Sequence, residues 1–135
     1  MSTDVGAPEG ANARELVHFV TQETRFALLA NILQHPEGLP SMYELEQLNP
    51  SVSEATVYKH VQKLIDAGVV EAVALPDDER QQGYPWKFYR LTDEGRAFLA
   101  EHNLLRAQDT LQEIYDRVEK TDDIERYETA PRPER

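Results

Sequence analysis

The clearest alternation of apolar and polar positions lies between residues 53 and 67. Val57, Val61, Leu64 and Ile65 recur at helical spacing and form one apolar stripe. Ser53 suits the N-cap, where its hydroxyl can accept from a free backbone N–H, and Gly68 suits a left-handed C-terminal stop. A rotation of about 100° per residue from the stripe puts Ala55, Thr56, Lys59, Gln62 and Lys63 on the opposite side, with Tyr58 and His60 on its flanks. A short helix precedes this one. Ser41 and Glu44 make a capping box, Leu45 and Leu48 have buried spacing, and Asn49-Pro50-Ser51 ends it. Beyond Gly68, residues 69–75 read as a strand, 76–85 as a polar loop with Gly83, and 86–91 as a return strand. Upstream, residues 12–20 predict a helix with Leu16, Val17, Phe19 and Val20 apolar. Residues 25–34 predict another through Phe26, Leu28, Leu29, Ile32 and Leu33.

Downstream, Thr92 caps a helix expected over residues 93–121, with Asp93 and Glu94 facing the positive end of its dipole. Ala97, Leu104, Leu111 and Val118 occupy one heptad position, and Ala100, Ala107 and Ile114 the other. Phe98, Leu105 and Tyr115 widen the stripe. A small domain has too little surface to cover so long a stripe, which predicts a coiled-coil-like homodimer. The competing expectation is a helix that breaks at His102-Asn103 and folds back on its own domain. Residues 1–11 read as a disordered N-terminus and 122–135 as a polar tail.

Two helices joined by a tight turn and followed directly by a hairpin make a winged helix-turn-helix. The expected class is therefore mainly α with a small β-hairpin wing, spanning residues 12–92, plus a long C-terminal dimerisation helix. In such a fold the second helix enters a DNA major groove and the wing follows the phosphates. The candidate DNA-binding residues are Ser53, Ala55, Thr56, Tyr58, Lys59, His60, Gln62 and Lys63 on the helix, and Arg80, Gln81, Gln82 and Lys87 on the wing. His60 has two readings, a phosphate contact or a ring packed against the wing.

The run from Val52 to Val70 resembles the recognition helix of the PadR, ArsR and MarR superfamily of prokaryotic regulators, and Ala55-Thr-Val-Tyr58 is most similar to PadR. Tyr89-Arg-Leu-Thr-Asp-Glu-Gly-Arg96 resembles the wing-to-helix junction of PadR and MarR proteins. The resemblance covers about residues 22–102. The acidic, cysteine-free chain as a whole is similar to haloarchaeal members of the group, including regulators of the response to reactive oxygen species. The resemblance implies a dimeric transcription factor on pseudo-palindromic double-stranded DNA. It also implies that the second helix packs behind the helix-turn-helix and that the first helix, through Leu16 and Phe19, joins the dimer interface. With the C-terminal helix this gives Leu104, Ala107, Leu111, Ile114, Tyr115, Val118, Leu16 and Phe19 as interface candidates.

Charge complicates this picture. The 135 residues carry a formal net charge of −11, whereas a DNA-binding domain is expected to be basic. The acids are concentrated outside the proposed contact segment: residues 53–92 hold six acids and five bases, against seven and two before them and twelve and seven after. Ten arginines and only four lysines among so many acids suit a salt-rich cytoplasm, where screening over about 3 Å at molar salt removes long-range repulsion from phosphates. The runner-up reading is a winged-helix protein-interaction module that binds no DNA. Asp77-Asp-Glu79 reads as solvated loop, or as a site for cations bridging to phosphate; such salt ions are the only non-protein groups expected, with no cofactor.

Little else in the chain carries chemistry. Zero cysteines exclude disulfides, thiolate metal sites and thiol redox switches. Any response to oxidants must use other groups; Met42 can form a sulfoxide but reads first as helix packing. His18, His35, His60 and His102 lack metal-ligand spacing, and no phosphate loop, nucleophile elbow or paired catalytic carboxylate occurs, so neither a metal nor an enzymatic activity is expected. No apolar run is long enough to span a membrane, and the N-terminus is unlike a signal peptide; a cytoplasmic protein is expected.

Overall fold

The structure is a computed structural model that describes residues 12–104 and 122–133. Its elements are α1 (Ala13–Val20), α2 (Glu23–Gln34), α3 (Met42–Gln47), α4 (Glu54–Asp66), β1 (Val70–Ala74), a 3-10 turn (Asp77–Glu79), β2 (Lys87–Leu91), α5 (Asp93–Glu101) and α6 (Asp122–Glu128). The hairpin is antiparallel, with Val70 opposite Leu91 and Ala74 opposite Lys87. This is a mainly helical winged-helix fold.

The starts and stops follow from local chemistry. Asn12 and Ser41 open α1 and α3 with complete capping boxes, and Ser53 and Thr92 accept from Thr56 and Gly95 N–H to open α4 and α5. Gln22 caps α2, which starts two residues before the expected Arg25. Gly68, at φ +78°, ends α4 in the left-handed region that suits glycine.

Val57, Val61 and Leu64 of α4 are buried, and they pack with Leu28, Leu29 and Ile32 of α2, Leu45 of α3 and the sheet residues Val70, Tyr89 and Leu91. Burying each such aliphatic side chain stabilises the fold by roughly 1.5–3 kcal/mol. Asn49 fixes the turn between α3 and α4: its amide donates to Asn31 Oδ1 at 2.8 Å and to Leu45 O at 2.7 Å. At the other end of α4, Thr92 Oγ1 donates to Gly68 O at 2.6 Å, joining the start of α5 to the end of α4.

Three expectations change. The helix beginning at Asp93 does not continue to residue 121: it closes at Glu101, and Asn103 adopts φ +59°, outside the α-helical region and tolerable for asparagine. Leu104 packs against its own domain, as do Phe98 and Leu99, while Ala97 and Ala100 stay exposed. The other interface candidates Ala107, Leu111, Ile114, Tyr115 and Val118, with Leu105, lie outside the described residues, as does the expected disorder of residues 1–11. Second, Phe19 is buried in the chain's own core and Leu16 is packed against it, so Phe19 has little surface left for a dimer contact.

Third, residues 122–133 are not a bare polar tail. They form α6 and a docked extension, with Ile124 and Ala130 buried. Arg132 donates to Glu44 Oε1 at 2.8 Å and to Leu39 O at 2.8 Å, and its guanidinium lies 4.5 Å from the centre of the Phe88 ring. Glu44 is fully buried, and also accepts from His35 Nε2 at 2.7 Å and from Ser41 N–H and Oγ, each at 2.9 Å. His35 Nδ1 accepts from Glu37 N–H, which places the ring proton on Nε2, toward Glu44. The 3.3 Å separation of Arg132 Nη2 from that Nε2 is then a contact between two donors. Burial raises the Glu44 carboxyl pKa, but the hydrogen bonds from His35 and Ser41 and the positive charge of Arg132 outweigh it and hold it below the usual range.

Gly95 marks a close backbone approach between α5 and the residue before β1. A Cβ there would collide with Val69 O, where α5 crosses the start of the wing. Gly95→Ala is expected to destabilise the protein by about 1–3 kcal/mol. This is read as a lower denaturation midpoint in molar KCl; an unchanged midpoint would contradict the packing.

Candidate nucleic-acid interface

The apolar stripe of α4 turns its other side outward. Ser53, Ala55, Lys59 and Gln62 are exposed, and Tyr58 is 57% exposed. Tyr58 is thus further from the core than its flanking position predicted. Thr56 and Lys63 are half-buried. Part of Thr56 is occupied in the cap, where its Oγ1 accepts from Ser53 Oγ at 2.8 Å. Gln62 reaches Asp66 Oδ1 at 3.3 Å, a surface contact that a ligand can displace.

His60 departs from expectation. Its side chain is turned inward and is 8% exposed. Arg25 Nη1 lies 3.1 Å from His60 Nδ1; an arginine only donates, so that nitrogen accepts and the ring is neutral. Arg25 in turn donates through Nε to Phe19 O at 2.7 Å and lies 4.2 Å from the centre of the Phe19 ring. His60 is therefore engaged inside the domain rather than presented to solvent. It locks α4 to the junction of α1 and α2, and Arg25, which the sequence reading passed over, is its partner.

The wing presents Arg80, Gln81, Gln82 and Lys87 at the surface. Arg80 is partly committed to shaping the loop: it donates to Leu75 O at 2.9 Å, pairs with Asp77 at 3.1 Å and stacks 4.0 Å from the centre of the Trp86 ring. Trp86 itself is 44% exposed. Arg90 is held by Glu71 across the hairpin at 2.8 Å. Gly83, at φ +85°, makes the turn. Acids stand beside these bases. Glu54 is exposed in the first turn of α4, and the Glu46 carboxyl is pushed up by burial and then by the Glu54 charge. Asp77, Asp78 and Glu79 are exposed in the wing.

An exposed face with a small residue, a tyrosine, a lysine and an amide, carried on the second helix of a helix-turn-helix and flanked by a wing, has the form of a groove-reading surface. The model of the transcriptional regulator PadR-like family matches residues 28–101. The chain belongs to the PadR-like family of transcriptional regulators. The match takes in α3, α4, the wing and α5, and favours PadR among the families the sequence resembles. A solved structure from Halomicrobium mukohataei, described as a protein with a GntR superfamily winged-helix-turn-helix domain, is 35% identical. It superposes with a TM-score of 0.78 over 90% of this chain and 85% of that one. The two names differ; the winged helix-turn-helix named for that neighbour is the arrangement that α3, α4 and the hairpin make here. No curated protein matches the chain. Among the described residues of this PadR-like protein, no acidic, histidine or cysteine cluster is arranged to hold a metal ion, and no helix is long and apolar enough to cross a membrane.

Burial, and after it the charges of Arg25, Lys63 and Lys59, lower the His60 pKa. The unfolded chain therefore takes up this proton first as pH falls. The stability that His60 contributes is complete above about pH 6.5 and is lost as pH drops below it. His60→Gln should flatten the loss of thermal stability between about pH 7 and 5. Thermal melts giving the same pH slope in both proteins would contradict the buried neutral ring.

Proposed function

We propose that this PadR-like protein is a sequence-specific, homodimeric regulator that binds a pseudo-palindromic operator through α4 and the wing. The observation that carries the reading is the exposed side of α4, with Ala55, Tyr58, Lys59 and Gln62 open to a partner while the opposite stripe is sealed. Lys59 and Lys63 reach phosphates or guanine edges, Thr56 and Gln62 offer hydroxyl and amide groups to bases or phosphates, and Arg80 and Lys87 grip the backbone from the wing. Two recognition helices about 34–36 Å apart, or a multiple of that, meet successive major grooves.

The acidic composition supports function in a salt-rich cytoplasm. Glu54 and the acids 77–79 stand beside the proposed contacts, and they take up cations as phosphates approach. Cation uptake offsets the counterions that DNA releases. Control of genes for the response to oxidants is the finer part of the proposal. It is supported by the resemblance to haloarchaeal regulators of that response, RosR among them, and the signal reaches the protein by a route other than cysteine.

Binding to genomic fragments in molar KCl tests this reading. Lys59→Ala is expected to remain folded and dimeric while losing affinity for the operator. Full affinity in that variant would remove Lys59 from the interface, and absence of sequence-selective binding by the wild type would leave a protein-interaction module. The slope of log affinity against log salt is expected to be shallow; a steep negative slope, like that of a basic repressor, would contradict cation uptake.

A further inference from the structure

We propose that the C-terminal segment 122–133 is a clamp that positions the wing for DNA, with Tyr127 as its positioning residue. Tyr127 lies between two elements of the interface. Its ring meets Tyr43 of α3 edge-on, with centres 4.6 Å apart and planes at 79°, and meets Tyr84 of the wing loop at 6.1 Å and 87°. Both are the T-shaped geometry that aromatic pairs prefer. Tyr84 N–H donates to Gln81 O at 3.1 Å, so the turn carrying Gln81 and Gln82 is tied to the residue that Tyr127 holds. The first helix of the helix-turn-helix and the wing thereby share one wedge.

The clamp is anchored at both ends. Ile124 is buried at the start of α6, and Arg132 at the far end is locked to Glu44 and Leu39 O. The wing loop needs such an anchor, because its residues from Pro76 to Gly83 are exposed and have little core of their own. A loop that is ordered only on meeting DNA loses affinity to that ordering; a loop already held does not. Tyr127 acts on the wing through Tyr84.

The inference rests on the wing contacting DNA, and the experiment separates the two. Trp86 is the only tryptophan in the chain and sits at the base of the wing under Arg80, so its emission reports wing order without DNA. The probe is a duplex selected from random sequence by the wild-type protein in molar KCl. Tyr127→Ala is expected to lower Trp86 anisotropy in the free protein and weaken binding to the duplex by roughly two- to tenfold. Tyr127→Phe, which keeps the ring, restores both. Combined with Arg80→Ala, the total loss is expected to be smaller than the product of the two single losses. Unchanged Trp86 anisotropy in a folded Tyr127→Ala protein overturns the clamp, as do losses that simply multiply. If Arg80→Ala alone leaves affinity intact, the wing contact itself fails, and the Trp86 signal tells that failure apart from failure of the clamp.

Discussion

The seal that Val57, Val61 and Leu64 make against α2, α3 and the sheet is the constraint on which the molecule depends. A helix has only two sides to allot, and fixing the aliphatic one leaves the other facing solvent. Hydrophobic burial is not directional, however, and by itself would let α4 roll or slide on the core. Polar contacts remove that freedom. Asn49 ties the turn before α4 to Asn31, His60 ties its middle to Arg25, and Thr92 ties its end to the start of α5. Each has good geometry, and the Asn49 and His60 side chains are buried, so a shift of the helix would leave a polar group without a partner, at about 1–3 kcal/mol each.

The same division of labour explains the distribution of charge. Bases near the proposed contact surface are few, and several are already engaged in shaping it, such as Arg80 in the wing and Arg90 across the hairpin. Lys59 is the open cation on the outward side of α4. The surrounding acids keep the field close to neutral, so attraction to a duplex rests on short-range contacts more than on long-range steering. In concentrated salt, where screening acts over a few ångströms, that is the form of recognition that survives.

Where side-chain chemistry is local, the sequence was readable. The Ser41–Glu44 capping box, the Ser53 cap, the Gly68 stop and the hairpin all depend on neighbours within a few positions or on a period of two or 3.6. The exposed set Ala55, Lys59 and Gln62 followed from the same period. The failures share a different cause. His60 lies at the edge of the apolar stripe, where helical rotation cannot choose between inside and outside; Arg25, 35 positions earlier, makes the choice. Phe19 is drawn inward by packing that one helix cannot reveal. The end segment looked polar because its composition is charged, yet Arg132 finds Glu44 across 88 positions and Leu39 across 93. Asn103 interrupts a heptad pattern that continues past it in sequence, because the pattern records which side chains are apolar and not whether the backbone stays helical.

The central claim is that the outward side of α4 is empty in the protein alone and filled by DNA. Acetylation of lysines, followed residue by residue by mass spectrometry in molar KCl, tests it directly. Lys59 is expected to react readily in the free protein and to be strongly protected when a selectively bound duplex is added. A Lys59 that is already protected without DNA, or that reacts equally with DNA bound, would contradict the account.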